Sequence, residues 1–293
     1  NRTVSANLGM SYSICNVLAE AGIDNVLRWV PFEIDKTELT NRIANKMIRP
    51  TTIPQTLEDL KIEQALAREA LHLSFIQHKE FAVSLKGVQT KRTISDTFDQ
   101  SMSGETIVDM MDLDLLVGSG GVLSHAPSRR QAARMLIDSF LPEGITELAV
   151  DSIFMMPQLG VLSSIHPKAA VEVFKKDCLI KLGYCIAPIG NYIKGKVMCK
   201  YTISIKNDII KGSLKCGEIK LIEIEDSDYT IMIQPEKGYD VGNGKNIKIE
   251  KTLKTGVVGL ILDGRGRSIE FSENDQERIS SVIDWSESTK EYK

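Results

Sequence analysis

Residues 114–137 constrain the fold more than any other stretch of this chain. Leu115, Leu116 and Val117 form a short apolar run, and Gly118, Ser119, Gly120 and Gly121 follow at once. Such a run predicts a buried strand, and glycines behind it let backbone approach a ligand with no Cβ in the way. Further on, Pro127 and Ser128-Arg129-Arg130-Gln131 predict a capping box, and Ala132, Ala133, Met135, Leu136 and Ile137 continue a helix. Strand, glycine loop and helix together make a nucleotide-site candidate; the pattern alone equally allows a glycine-rich turn that binds nothing. Neither familiar phosphate motif fits. Leu123 holds the last position of Gly-x-Gly-x-x-Gly, the capped helix waits until about Ser128, and no Gly-Lys-Ser/Thr ending follows the strand.

With 293 residues the chain can bury a real core, and two domains are expected. A net charge of -3 gives no electrostatic case for nucleic acid. No apolar run approaches the ~18 residues of a membrane span, and no signal-peptide pattern opens the chain. Cys15, Cys178, Cys185, Cys199 and Cys216 contain no Cys-x-x-Cys pair and no ligand-spaced histidine, which predicts free buried thiols in a reducing cytoplasm and no metal site. Asn1 to Ser5 reads as the continuation of a segment already under way, so a longer parent is expected.

Along the chain, residues 3–10 are expected as a strand, with helices at about 11–21 and 36–48. Thr56-Leu57-Glu58-Asp59 opens a long helix as a capping box. Its Ile62, Leu66, Ala70, Leu73 and Ile76 form one buried stripe, and it is expected to reach about Ser84 and break at Gly87. A polar segment at 88–106 reads as a charged loop. Glu147 to Val150 is a short strand, Met156 to Gly160 a second glycine-containing turn, and 167–180 a helix. Beyond Gly183, β-rich runs at 196–205, 219–224, 229–233, 246–252 and 257–262 alternate with turn signals, which predicts an antiparallel barrel or sandwich. The expected division is 1–182 α/β with a helical insertion at about 36–106, then 183–272 as a β-domain. A helix and fraying polar tail at 273–293 follow.

The run Val117 to Pro127 resembles the C-terminal part of the glutamate mutase accessory proteins, the MutL family. The resemblance extends through Asn45-Lys46-Met47-Ile48-Arg49-Pro50-Thr51-Thr52-Ile53-Pro54, Lys86 to Gln89, Met156 to Ser163, Gly217 to Ile222 and Gly256 to Gly259. A related branch accompanies ornithine aminomutase. The family's fold is similar to the actin-like (ribonuclease H-like) ATPases, in which a strand ending in Gly-Ser/Thr-Gly-Gly packs its backbone against adenosine. The resemblance therefore implies cofactor-binding roles for Gly118, Ser119, Gly120 and Gly121. It implies that Gly160 lies in a connecting segment where small residues let two helices cross. The phosphate-holding Asp/Gly/Thr turns of that superfamily belong upstream of Asn1, so ATP with Mg²⁺ is implied for the parent, and this stretch alone is expected to be non-catalytic.

Function by resemblance is an ATP-dependent reactivating chaperone in the cytoplasm, serving the subunits of an adenosylcobalamin-dependent amino-acid mutase, of glutamate mutase or ornithine aminomutase type. Two alternatives stand beside it. One is a small-molecule kinase of the same fold, with Asp109, Asp112 or Asp114 as an activating carboxylate. The other is an interaction module with a decayed nucleotide site. No catalytic constellation is found among the residues. His125 reads as a loop-ordering residue. Arg129, Arg130 and Arg134 either reach a purine or phosphate or line a solvated helix face.

Overall fold

The computed structural model describes residues 3–83, 106–206, 208–225 and 228–293. Residues 3–10 form turns and no strand. Helices α1 (Ile14–Ala21), α2 (Ile23–Leu27), α3 (Lys36–Ile48) and α4 (Leu57–Phe81) then build a helical cluster. Its core joins Val17, Val26 and Trp29 to Leu39 and Ile43 of α3 and to Ile62, Leu66 and Ala70 of the predicted stripe. Thr56 caps α4 by accepting from the Asp59 N–H, as its sequence predicts. The expected stop at Ser84–Gly87, the Lys86–Gln89 motif and nearly all of the 88–106 segment lie outside the described residues.

A crossover unit follows. Strand β1 (Leu115–Gly118) leads through α5 (Gly121–Ser124) and α6 (Arg129–Phe140) to β2 (Gly144–Asp151), which pairs parallel to β1. Both halves of the predicted capping box at Ser128 and Gln131 are present. After β2 come α7 (Met156–Ser163), α8 (Pro167–Val173) and a π-helical turn, Phe174–Cys178. Met156 to Gly160 is thus helix, and the helix expected at about 167–180 is present to Cys178, its last turn π-helical, before β3 (Leu179–Ala187) returns beside β2.

The remaining strands are β4 (Val197–Ile205), β5 (Asp208–Lys215), β6 (Ile219–Ile222), β7 (Tyr229–Pro235), β8 (Ile249–Leu253) and β9 (Gly259–Asp263). They do not form a β-domain of their own. One sheet has the order β1-β2-β3-β9-β6 and the other β5-β4-β7-β8. The expected boundary at 182/183 falls inside β3, and β6 and β9 complete the sheet that β1 and β2 begin. Side-chain alternation explains the layering. Leu260 and Leu262 of β9, with Ile186 of β3, face the four-stranded sheet and its Ile203, Ile231 and Ile233. Ile261, Cys185 and Ala187 face the opposite way, onto Met135 and Leu136 of α6 and Trp285 of α9 (Asp275–Ser288). The fold is mixed α/β, with the five-stranded sheet between a helical layer and a second sheet. Strand β5 crosses Gly212, which sequence reading takes as a separator.

The polar tail does not fray. Glu291 is buried and bonded to Arg68 Nη2 at 2.5 Å, and the Tyr292 hydroxyl donates to Gln64 Oε1 at 2.9 Å. Arg68 also meets Asp138 of α6 at 2.7 Å, and Asp138 is shared with Arg134 at 3.2 Å and Arg265 at 2.7 Å. Arg265 and Arg267 continue the network to Asp263 at 2.9 and 3.2 Å. Every side chain in it is essentially shut off from water.

Candidate functional site

The glycine loop sits at the carboxyl ends of the parallel pair β1 and β2, the edge at which open α/β sheets bind ligands. Its four residues play different parts. Gly118 is buried, and a Cβ there would lie 2.9 Å from Leu123 Cδ1 and from Leu136 Cδ2. That glycine lets α5 and α6 close onto the strand end; it faces the core rather than a ligand. Gly120 has φ +105 and ψ 157, a conformation essentially reserved for glycine, and a Cβ on it would meet nothing within 4 Å. Gly121 is exposed and equally open. The loop therefore offers bare, open main chain at Gly120–Gly121, next to the Ser119 hydroxyl.

Beside this stretch lies a carboxylate that the sequence reading passes over. Asp151 ends β2, one residue beyond the predicted strand, and is fully buried. Its Oδ2 accepts from the Ser119 hydroxyl at 3.2 Å and from the Met156 N–H at 2.9 Å, and its main-chain oxygen accepts from the Ser124 hydroxyl. Burial pushes its pKa up, but the N–H groups of Met156, Met155 and Ile153 and the Ser119 hydroxyl outweigh that and hold it below the usual carboxylate value. Asp151 ties the glycine loop, α5 and the start of α7 into one unit. The signal for it was available: a carboxylate at a strand end, followed by Met-Met-Pro with proline at the first helical turn.

The other candidates are placed as follows. Gly160 lies within α7, exposed, with nothing within 4 Å of a Cβ, so no helix crosses over it in the described residues. Arg134 is neither a ligand-facing residue nor part of a solvated face: it is buried and donates to the Trp285 carbonyl at 3.0 Å. Arg129 donates to the Ser124 carbonyl at 2.7 Å, and Arg130 to Glu223 at 2.6 Å. His125 is exposed beside the loop. Asp114 immediately precedes β1, at the end remote from the glycines. Four residues of strand put it about 13 Å from Gly118, and Asp109 and Asp112 lie earlier still. None of the three is at the loop. The five cysteines are free, and the described residues contain no His/Cys/Asp/Glu group able to hold a metal. No helix among the described residues is long and apolar enough to cross a membrane.

Comparison with known proteins places this geometry in context. A family model described as MutL protein matches residues 1–178. Protein MutL of Clostridium tetanomorphum is 23% identical over 180 residues, covering 60% of this chain and 36% of the relative. The chain thus spans about a third of the curated relative it matches. No solved structure matches the chain.

Proposed function

The chain belongs to the MutL protein family, and from that premise we propose that it supplies the adenosine side of the ATP site in an accessory protein for an adenosylcobalamin-dependent amino-acid mutase. In this reading the protein is a cytoplasmic reactivating chaperone of actin-like ATPase type, and its partners are the subunits of a glutamate mutase or ornithine aminomutase. The observation that carries the reading is the bare main chain of Gly120–Gly121 at the carboxyl end of β1, with no atom within 4 Å of either Cβ position. A purine or ribose face can lie flat there at van der Waals distance, and Ser119 adds a hydroxyl at the edge of the cradle. The open main chain leaves room for adenosine, which supports this reading. Phosphate and Mg²⁺ would be held by another part of a longer family protein, since the oxygens of Asp151, the carboxylate bonded to Ser119 of the loop, are already taken up by Ser119 and the start of α7. When bound, ATP would supply the energy of phosphoryl transfer; these residues only seat and orient its nucleoside. The kinase alternative loses its proposed carboxylates, because Asp109, Asp112 and Asp114 lie toward the wrong end of β1.

The discriminating substitution is Gly121→Val. Gly121 opens α5 outside the left-handed region and has open space around it, so the variant keeps the fold while its side chain enters the adenosine position. Calorimetry should show ATP affinity reduced at least tenfold, with Gly121→Ala intermediate and the thermal midpoint of both within a few degrees of wild type. Equal affinity in all three proteins would remove the loop from the site.

A further inference from the structure

A cleft of about 570 Å³ lies away from the glycine loop, between α3, α4 and the 49–55 connection. That is the size of a small-molecule site. We propose that this cleft binds a small organic anion with an apolar body and a carboxylate or phosphate head; the reading is independent of the nucleotide site.

Four observations converge on it. The floor is apolar and buried, made by Ile14, Ile43, Ile62 and Leu66. Ile48 and Ile53 also line the cleft yet are 71% and 70% exposed, so apolar surface faces an open volume that an apolar guest would cover. The walls are fixed in advance. Lys46 is paired with Glu63 and donates to the Thr52 carbonyl at 3.2 Å, and Arg42 is held by Glu38 at 2.6 Å and by Asp59 at 3.6 Å. Pro50 and Pro54 stiffen the connection between the helices.

The charges set the sign of the guest. Arg42, Lys46 and Arg49 line the cleft, and the charges of the first two are balanced by Glu38, Glu58, Asp59 and Glu63. Arg42 and Lys46 are already engaged, whereas Arg49 has no side-chain partner among the described residues and stands exposed at the rim. A guanidinium at the rim of an apolar trough selects a molecule with one anionic head and a hydrocarbon or ring behind it. The segment responsible, Asn45 to Pro54, is one of the unusual motifs of the sequence, and the glycine-loop site does not use it.

The test uses 8-anilinonaphthalene-1-sulfonate, an apolar fluorescent monoanion, on the whole chain, counting only the signal that competitors displace. Decanoate and decyl phosphate are the two competitors that distinguish the head group, and decanol is the uncharged control. The expected result is displacement of one probe per chain by decanoate or decyl phosphate, with decanol at least tenfold weaker. Arg49→Ala should weaken it at least tenfold, Arg49→Lys should recover part of the loss, and Thr52→Trp, which fills the mouth from an exposed position, should abolish it while circular dichroism stays unchanged. Failure of both anions to displace the probe overturns the proposal, as does wild-type binding by Arg49→Ala and Thr52→Trp together. Loss of mutase capture by Thr52→Trp, in a chain that ignores both anions, would also overturn it and make the cleft a protein-docking surface.

Discussion

Replacing Gly183 by alanine should detach β3 from β9 and cost more than about 4 kcal/mol of stability. Gly183 pairs with Gly259 in the parallel register, at the place where β2 and β3 shift register by one residue. Its φ is +131, and a Cβ there would fall 1.8 Å from the Gly259 carbonyl oxygen and 2.9 Å from its carbonyl carbon. Both atoms are main chain in the middle of a sheet, so no side-chain rotation can relieve the overlap. Gly256 closes on the same point, with a Cβ position 2.3 Å from Gly183 N. The variant should be insoluble, or should melt at least about 10 °C lower. Gly195→Ala separates clash from backbone strain: its φ is +80 but nothing lies within 4 Å, so it should cost only about 1–2 kcal/mol. If the two variants melt within 2–3 °C of each other, the close approach of β3 and β9 is not what fixes this sheet.

Asp138→Asn is the second large effect, at about 3–5 kcal/mol, because it leaves buried charge without its counter-ion. Four arginines (68, 134, 265 and 267) face three carboxylates (Asp138, Asp263 and Glu291), and Asp138 touches three of the four. Burial pushes the Asp138 and Asp263 carboxyls up, but their arginine neighbours (Arg134, Arg265 and Arg68 for the first, Arg265 and Arg267 for the second) outweigh it and hold both far below the usual range. The sign follows from the direction. A carboxylate whose folded pKa is depressed stabilises the fold above its unfolded value near 4, and that contribution is lost as the pH falls. Chemical denaturation should therefore show stability flat near neutrality and declining below about pH 5, with a shallower decline in Asp138→Asn. Lys290→Ala, which breaks an exposed pair with Glu223, should change stability by less than about 1 kcal/mol. A wild-type acid profile in Asp138→Asn would show that the network does not carry the pH dependence.

These two features were the least legible in the sequence, for the same physical reason: each depends on groups far apart in the chain. The local signals survived. Caps at Thr56 and Ser128 and the stripe of α4 are each set by neighbours within one or two turns, and they appear where their patterns predict; the apolar run of β1 is a strand, but at the sheet edge with Leu115 exposed rather than buried. The tail read as polar because Glu291 and Tyr292 are polar. Arg68 and Gln64, more than 220 residues away, bury Glu291 and hold the half-buried Tyr292. Arg134 read as a helix-surface residue because nothing near it in sequence tells that α9 covers that face. The boundary at Gly183 failed because a glycine needed for a close strand crossing looks, in one dimension, like a turn. At the site, the glycines were legible as a group but not in their division of labour. Gly118 serves packing, Gly120 and Gly121 supply open backbone, and Asp151 escapes the strand pattern because a charged residue closes β2 one position beyond its apolar run.

The most direct test of the central proposal is photolabelling with 8-azidoadenosine triphosphate, with attachment sites mapped by mass spectrometry. If adenosine lies on the glycine loop, the adduct falls within residues 118–131, excess ATP suppresses it, and Gly121→Val removes it. Adducts confined to another part of the chain, or unaffected by ATP and by Gly121→Val, would contradict the assignment of this loop to a nucleotide.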